Sequence, residues 1–215
     1  MIGIFGGTFD PIHFGHLRLA QEAASALALQ QVRFIPAGEP WLRDTPRASA
    51  QQRLEMVRLA CAGNPLFAVD DREIRRRGPS YSVDTLSELR AELGPAQPLC
   101  LLLGADAFLG LSTWHRWQDL FGLAHIAVAH RPGFAQSSWA DSMPPALQQA
   151  LAARQTAGPG ALASAPAGQI LIYPITPLDI SASHIRTGLQ QGKSPRYLVP
   201  DVVLNYISQN QLYSE

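Results

Sequence analysis

Excess charge of either sign is missing from this sequence. Its 215 residues include 17 lysines and arginines and 17 aspartates and glutamates, so the formal net charge at pH 7 is zero. A balanced charge gives no reason to expect nucleic acid or an anionic membrane as a partner. Any binding of phosphate groups would have to come from local clusters of side chains and backbone amides.

Cysteines and long apolar runs are also scarce. The two cysteines, Cys61 and Cys100, lie within apolar patterns, which is typical of buried thiols rather than of a disulfide or a metal pair. No segment approaches the roughly 20 apolar residues of a membrane span. Met1 to Phe5 runs directly into two glycines without a basic leader, so no signal peptide is expected. We therefore expect a protein of the reducing cytoplasm.

Short apolar runs alternate with helical patterns along the chain. Apolar residues three and four positions apart predict amphipathic helices from Leu17 to Leu27, Leu54 to Ala60 and Leu86 to Leu93. Such alternation is typical of an α/β fold with a doubly wound, mostly parallel, Rossmann-like sheet, in which ligands bind beyond the carboxyl ends of the strands. The predicted buried strands are Ile2–Phe5, Val32–Ile35, Phe67–Val69, Leu99–Leu103, Ile126–Ala129 and Ile170–Tyr173.

The length of the chain suits a single domain over residues 1–215. Residues 133–168 interrupt the strand-helix rhythm, because Ala, Gln, Ser, Pro and Gly dominate there and only Ala146 to Arg154 has a weak helical pattern. We interpret this segment as a variable surface excursion. Spaced apolar residues between Tyr197 and Tyr213 predict a closing amphipathic helix that begins after Pro200.

The most distinctive segment joins the first predicted strand to the first helix. Gly6 and Gly7 at the carboxyl end of a strand let the backbone approach a phosphate closely. His13 and His16 lie at the helix start, where backbone N–H groups favour an anion, and their imidazoles can stabilise charge on a transferring phosphoryl group. Two histidines three apart are also compatible with a metal, but no third ligand is suggested nearby, so no metal site is predicted. The segment reads Gly6-Gly7-Thr8-Phe9-Asp10-Pro11-Ile12-His13-Phe14-Gly15-His16.

A second segment, Ile180 to Arg186, follows the last predicted strand and begins a short helix. We predict that Ser183 is the N-cap of this helix. Arg186, one turn further along, can reach the anion that a helix N-terminus attracts. On these residues alone, a capped helix with an exposed arginine explains the pattern equally well.

Together the two segments resemble the signature of the nucleotidyltransferase superfamily that contains the nicotinate mononucleotide, nicotinamide mononucleotide and phosphopantetheine adenylyltransferases. The resemblance implies that an acceptor phosphate attacks the α-phosphorus of ATP directly, without a covalent enzyme intermediate. It also implies that His13 and His16 are catalytic and that the Ile-Ser-x-x-x-Ile-Arg element holds the β- and γ-phosphates. The residues implied to bind the triphosphate are Gly6, Gly7, Thr8, Ser183 and Arg186.

Further segments resemble bacterial nicotinate mononucleotide adenylyltransferases in particular. The Gly-x-Asp element at Gly104 and Asp106 implies that Gly104 admits the nucleoside and that Asp106 accepts a hydrogen bond from a ribose hydroxyl. Trp114, in a Thr-Trp element, can stack on a flat pyridine ring, although a buried core tryptophan fits equally well. Arg131, in an Arg-Pro-Gly element, is implied to lie near the adenine or ribose; a solvated arginine is the competing interpretation.

Two more segments bear on the acceptor. Tyr81 and Ser82 lie in a stretch similar to the family's Ser-Tyr-Thr-x-x-Thr, and Ser82 keeps the hydroxyl that can donate to a nicotinate carboxylate. An ordinary serine N-cap is the alternative. After the second strand the family has Pro-Pro-His-Lys or Pro-Pro-His-Arg, whereas this chain has Pro40-Trp41-Leu42-Arg43. Arg43 keeps the cation for acceptor binding, but the second proline and the histidine are gone.

The resemblance implies an enzyme that joins ATP and nicotinate mononucleotide to give deamido-NAD and pyrophosphate in NAD biosynthesis. Mg²⁺ is expected to arrive with ATP, because the sequence shows no convincing carboxylate cage for it. The alternative within this class is a nicotinamide mononucleotide or dual-specificity adenylyltransferase. From a different class, the alternative is a nucleotide-binding regulatory module without turnover. The sequence leaves the oligomeric state open.

Overall fold

The structure is a computed structural model that describes residues 1–42, 45–130, 139 and 143–214. Within these residues, seven strands alternate with ten helices, and two short 3₁₀ turns lie at Leu111–Thr113 and Trp117–Asp119. The strands are β1 (Ile2–Gly7), β2 (Gln31–Pro36), β3 (Phe67–Val69), β4 (Leu99–Gly104), β5 (His125–His130), β6 (Gln155–Thr156) and β7 (Ile170–Pro174). The helices are α1 (Phe14–Ala26), α2 (Ala50–Cys61), α3 (Arg72–Arg75), α4 (Ser82–Leu93), α5 (Ala105–Leu109), α6 (Leu120–Leu123), α7 (Pro145–Arg154), α8 (Gly160–Ala163), α9 (Ala182–Gln190) and α10 (Asp201–Gln209).

The described strands form one sheet in the order β3-β2-β1-β4-β5-β7-β6. The pairs between neighbouring strands are parallel. The chain first moves outward from β1 to β3 and then builds β4 to β7 on the other side of β1. The strand order therefore reverses between β1 and β4, which is where ligands of such sheets bind. The predicted α/β class with a doubly wound, parallel, Rossmann-like sheet is confirmed.

Alternating side chains of the central strands enter two separate hydrophobic clusters. In β1, Phe5 joins a cluster with residues of α1, α2 and α10, whereas Ile4 joins a cluster with residues of α4, α5 and α6. In β4, Leu102 belongs to the first cluster and Leu101 to the second. A sheet covered on both faces buries most of its central strands, which explains why β4 and β5 are near-continuous apolar runs in the sequence.

Both cysteines are free and buried, as the sequence predicts. Burial raises the pKa of the Cys61 and Cys100 thiols to about 12, so both are protonated at neutral pH and behave as small core side chains. In the part of the chain that the structure describes, no helix is long and apolar enough to cross a membrane.

Residues 133–168 contribute more to the fold than their composition suggests. Among those that are described, Trp139, Leu147 and Leu162 are buried in the hydrophobic clusters. The weak helical pattern corresponds to α7. The segment also holds β6, which was not predicted and which pairs with β7 at the edge of the sheet.

The closing helix predicted after Pro200 is α10, with Pro200 as its N-cap. Val203 and Ile207 on this helix are buried. They belong to the cluster that also holds residues of α1 and α2. Beyond the helix the chain turns back, and the buried Tyr213 reaches Asp10 in the turn between β1 and α1. The C-terminal segment therefore packs against the turn that follows the carboxyl end of β1.

Candidate active site

The two segments with phosphate-binding character lie side by side where β1 ends. Arg186 of α9 donates from Nη1 to the carbonyl oxygen of Asp10 at 2.7 Å, across 176 positions of sequence. A Cβ atom on Gly15 would lie 3.6 Å from the carbonyl oxygen of Ile180, so the first turn of α1 and the segment before α9 are in direct contact. The convergence that a shared polyphosphate site requires is therefore present.

The turn between β1 and α1 holds the two imidazoles together. His13 is the N-cap of α1 in an extended conformation, and its backbone N–H donates to Nδ1 of His16 at 3.3 Å. The two rings stack with 3.7 Å between their centroids and 23° between their planes. Because Nδ1 of His16 accepts a hydrogen bond, a neutral His16 carries its proton on Nε2, which is the donor that can serve an anion.

Burial determines the charge of His13. The residue is 5 % exposed, and its Nδ1 has no hydrogen-bond partner among the described residues. Desolvation lowers the pKa of His13 to about 4, so this imidazole is neutral at physiological pH. A neutral His13 can stack on His16 without like-charge repulsion. A neutral His13 can serve an anion as an N–H donor and not as a cation.

The N-cap of α9 is Ser181, and the prediction of Ser183 at that position is wrong. Ser181 has the extended backbone of an N-cap (φ −128°, ψ 144°), and its hydroxyl accepts from the N–H of His184 at 3.2 Å. Ser183 lies within the first helical turn, where its Oγ accepts from Nη2 of Arg186 at 3.3 Å. The correction leaves Ser183 beside Arg186, because residues three positions apart lie on the same face of a helix.

Arg53 of α2 is a buried cation that the sequence analysis missed. It is 1 % exposed, and its guanidinium donates to three carbonyl oxygens, of Thr8 at 2.7 Å, Gly38 at 3.1 Å and Ala48 at 3.3 Å. These acceptors belong to the turn after β1 and to the segment after β2. Arg53 therefore fixes the relative position of two loops at the carboxyl edge. In the sequence, the position of Arg53 directly before Leu54, on the apolar side of α2, could have indicated that this arginine is buried.

The glycines at the strand ends leave space beside these groups. Gly6 is exposed, and a Cβ atom on Gly6 or on Gly104 would meet nothing within 4 Å. Gly7 is different, because a Cβ atom there would lie 2.9 Å from the ring of Phe9. Asp106 is exposed in the first turn of α5, directly after Gly104 ends β4. A nucleoside that enters between β1 and β4 would therefore meet open backbone and a solvent-accessible carboxylate.

Of the residues predicted for the acceptor, Tyr81 and Ser82 lie at the start of α4 and Trp114 lies after α5. Tyr81 is the N-cap of α4, so the alternative of an ordinary serine N-cap does not hold for Ser82, the first residue of the helix. Ser82 and Gly6 line the same small cavity of about 10 Å³, which brings the acceptor segment next to the glycine turn. Trp114 is half-buried and packs against the cluster that contains residues of α4.

An aromatic group at the acceptor segment was also missed. His115 stacks on the ring of Tyr81 with 4.3 Å between centroids and 28° between planes. Trp41, which replaces the family's second proline, meets the same ring edge-on at 5.2 Å. The substituted loop therefore contacts the acceptor segment through its new tryptophan. His115 is the residue after Trp114, and nothing in the spacing pointed to its contact with Tyr81.

Glu73 is a buried carboxyl group beside Ser82 in the same cavity. The hydroxyl of Thr85 lies 2.5 Å from its Oε1, and Arg76 donates to that hydroxyl at 3.2 Å. Burial raises the pKa of Glu73 above its ordinary value, because desolvation disfavours the charged carboxylate.

Two predicted site residues, Arg43 and Arg131, lie outside the described residues, and their roles stay predictions.

Within the described ranges, no group of three or more His, Cys, Asp and Glu side chains is arranged to hold a metal ion. Asp10 is the carboxylate of the histidine turn, and its two oxygens already accept hydrogen bonds from the backbone of Arg47 and Ala48 and from Tyr213.

The fold and the site together define a class of protein. A parallel sheet whose order reverses between β1 and β4 presents a glycine turn, a histidine pair at a helix N-terminus and an arginine at one edge. Backbone amides at a helix N-terminus, imidazoles and a guanidinium are groups that can bind a polyphosphate and stabilise charge on it. The class is that of α/β nucleotidyltransferases.

Comparisons with known proteins place the chain within this class. The profile of the cytidylyltransferase-like family matches residues 4–188. A protein named probable nicotinate-nucleotide adenylyltransferase from Dechloromonas aromatica is 54% identical over 99% of this chain and 97% of its own length. A protein of the same name from Pseudomonas aeruginosa is 51% identical over 99% of this chain and 96% of its own length. The chain belongs to the cytidylyltransferase-like family, in the group named nicotinate-nucleotide adenylyltransferases.

Solved structures share the fold at low sequence identity. The Plasmodium falciparum nicotinic acid mononucleotide adenylyltransferase complexed with NaAD superposes with a TM-score of 0.73 at 17% identity, over 99% of this chain and 96% of that chain. A putative nicotinate-nucleotide adenylyltransferase from Vibrio parahaemolyticus gives a TM-score of 0.64 at 15% identity, over 100% of this chain and 95% of that chain. At this identity the likeness supports the fold alone.

Proposed function

We propose that this chain transfers the adenylyl group of ATP to nicotinate mononucleotide, giving deamido-NAD and pyrophosphate in the biosynthesis of NAD. The observation that carries the proposal is the contact between the histidine turn and the arginine of α9, which brings two distant segments of the predicted phosphate site together. Relatives at 51–54% identity over almost the whole chain are named for this activity.

The reaction needs positioning and neutralisation of charge more than it needs proton transfer. An oxygen of the acceptor phosphate forms a bond to the α-phosphorus of ATP, and the bond from that phosphorus to the pyrophosphate oxygen breaks. The acceptor phosphate is already anionic at neutral pH, so no general base is required. No covalent intermediate with the protein is formed.

The residues take distinct parts in this transfer. Nε2–H of His16 and the neutral imidazole of His13 donate hydrogen bonds to the α-phosphoryl group and the leaving pyrophosphate. Arg186 supplies the positive charge, and Ser183 and Thr8 orient the triphosphate with the backbone of Gly6 and Gly7. Gly104, Asp106 and Arg131 are assigned to the adenosine. Removal of the His16 imidazole should lower kcat/KM by about a hundredfold or more while the chain stays folded, because a charge-stabilising donor of the transition state is lost.

We expect Mg²⁺ to be bound by the phosphates of ATP and not by a set of protein carboxylates. The carboxylate in the turn, Asp10, is occupied by donors, so the phosphate oxygens and water would supply the ligands of the ion. When bound, Mg²⁺ would neutralise charge on the triphosphate. The protein residues then hold the phosphate oxygens that the ion leaves exposed.

The acceptor is assigned from the α4 segment. Ser82 and the backbone amides at the start of α4 can donate to the nicotinate carboxylate, with Tyr81, Trp114 and Arg43 framing the ring. A carboxamide offers a weaker acceptor to the same donors. We also place the reaction in the cytoplasm, which suits two buried free thiols.

A comparison of acceptors tests the proposal. The purified protein is supplied with ATP and either nicotinate mononucleotide or nicotinamide mononucleotide, pyrophosphate release is followed, and the dinucleotide product is identified by its mass. We expect kcat/KM to favour the carboxylate acceptor by about tenfold or more. Equal rates would support the dual-specificity alternative, and absence of turnover with both would support a regulatory module.

A further inference from the structure

The carboxylate of Asp10 is the centre of a buried hydrogen-bond network behind the histidine turn. It is 5 % exposed and accepts from three donors at hydrogen-bond distance. The backbone N–H of Arg47 donates to Oδ2 at 2.9 Å, the N–H of Ala48 donates to Oδ1 at 3.1 Å, and the hydroxyl of Tyr213 donates to Oδ1 at 2.7 Å. The lone pairs of this carboxylate are thus largely used inside the protein.

Arg186 lies beside the same carboxylate without closing on it. Its Nη1 donates to the backbone carbonyl of Asp10 at 2.7 Å, but the same nitrogen is 3.8 Å from Oδ2 of the carboxylate. The separation to the carboxylate is longer than that of a charge-assisted hydrogen bond. The guanidinium is therefore held at the turn by the Asp10 carbonyl and by Ser183, and no charge-assisted hydrogen bond joins it to the Asp10 carboxylate.

Tyr213 reaches Asp10 because the chain reverses after α10. Gln211 and Tyr213 both have positive φ angles, of 52° and 65°, and the N–H of Leu212 donates to the carbonyl of Ile207 at 3.0 Å. The ring of Tyr213 is buried in the cluster with residues of α1 and α2, and the residue is 6 % exposed. Side-chain and backbone contacts together aim the hydroxyl at a residue 203 positions earlier in the sequence.

We propose that Tyr213 is a positioning residue of the triphosphate site, which acts by occupying the Asp10 carboxylate so that Arg186 stays available to ATP. Without the hydroxyl, Oδ1 of Asp10 loses its shortest hydrogen bond, and the less neutralised carboxylate attracts the Arg186 guanidinium more strongly. The carboxylate and the triphosphate then compete for one cation. The inference rests on the proposed function, since it takes Arg186 as a ligand of the ATP phosphates.

The test compares Tyr213→Phe with the wild-type chain. We expect the KM for ATP to rise about tenfold, which corresponds to the weakening of one charge-assisted contact, while the KM for nicotinate mononucleotide changes less than about twofold. Tyr206→Phe is the matched control, since it removes a phenolic hydroxyl from a half-buried tyrosine of the same C-terminal segment. Thermal melting of each variant reports any general loss of structure.

A merely structural role would lower the melting temperature and the active fraction but leave the two KM values unchanged. A KM for ATP within twofold of wild type in a folded Tyr213→Phe protein would overturn the proposal. Asp10→Asn supplies a second test, because Tyr213 should have no further effect once the charge of Asp10 is removed. Equal increases in the KM for ATP on adding Tyr213→Phe to wild type and to Asp10→Asn would also overturn it.

Direct measurement of ATP binding by calorimetry separates this proposal from the proposed function. If the wild-type chain binds ATP but does not turn over, the assigned reaction fails, and the Tyr213 proposal is decided by whether Tyr213→Phe weakens ATP binding about tenfold. If the wild-type chain does not bind ATP, the positioning role is refuted as well.

Discussion

The buried, neutral His13 predicts a specific dependence of stability on pH. Burial lowers the pKa of His13 from 6.5 to about 4 in the folded chain, whereas the unfolded chain keeps the ordinary value. As the pH falls below the ordinary value, the unfolded state binds a proton that the folded state does not, so acid favours unfolding. The contribution of His13 is complete above the ordinary pKa and is lost as the pH approaches 4. Over the whole interval the loss is about 3 kcal/mol, at about 1.4 kcal/mol per pH unit.

The assay is urea unfolding of the wild-type chain and of His13→Gln at about pH 7 and about pH 5. We expect the free energy of unfolding of the wild type to fall by about 2 kcal/mol more than that of the variant over this range. The variant is needed because burial also lowers the pKa of His125, which titrates in both proteins. Equal pH dependence in the two proteins would contradict the assignment of a neutral, desolvated His13.

Two further predictions concern residues around the site. Arg53→Met should lower the free energy of unfolding by about 3 kcal/mol, because the carbonyls of Thr8, Gly38 and Ala48 lose a buried cationic donor. Arg58→Met, on the exposed side of α2, is the control in the same urea assay, and a similar loss in both variants would refute the role of Arg53. Ser181→Ala should cost about 1 kcal/mol of stability through loss of the N-cap. Ser183→Ala should instead raise the KM for ATP with little effect on unfolding, and a larger loss of stability in Ser183→Ala than in Ser181→Ala would contradict the assignment of Ser181 as the cap.

The parts of the fold that the sequence predicts are those with a strong local pattern. The six predicted strands are present because each is an apolar run; the central strands are mostly buried, and β3, at the edge of the sheet, is half-buried. The strand β6 was missed because it consists of two polar residues, Gln155 and Thr156, at the edge of the sheet. So short a polar strand shows neither an apolar run nor an alternation of apolar and polar residues in the sequence. The N-cap of α9 was assigned to the wrong serine because Ser181 and Ser183 are the same residue type. The backbone angles of the folded chain, which the sequence does not show, identify Ser181 as the cap.

Within the candidate site, predictability depends on the distance in sequence between partners. Gly6, Gly7, His13 and His16 lie in one short segment, so their common chemistry is visible in the sequence. Arg53 and Tyr213 were missed because their partners lie far away, as for Arg53 and Thr8, which are 45 positions apart. A hydrogen bond between such positions follows from the packing of α2 and α10 against the sheet and has no local pattern.

The most direct test of the account is a crystal structure of the chain with a non-hydrolysable ATP analogue bound. We predict that one triphosphate lies within hydrogen-bond distance of both the His16 imidazole and the Arg186 guanidinium, with Tyr213 still bonded to Asp10. A triphosphate bound away from the histidine turn, or bound there while the Arg186 guanidinium moves onto the Asp10 carboxylate instead, would contradict the proposed site.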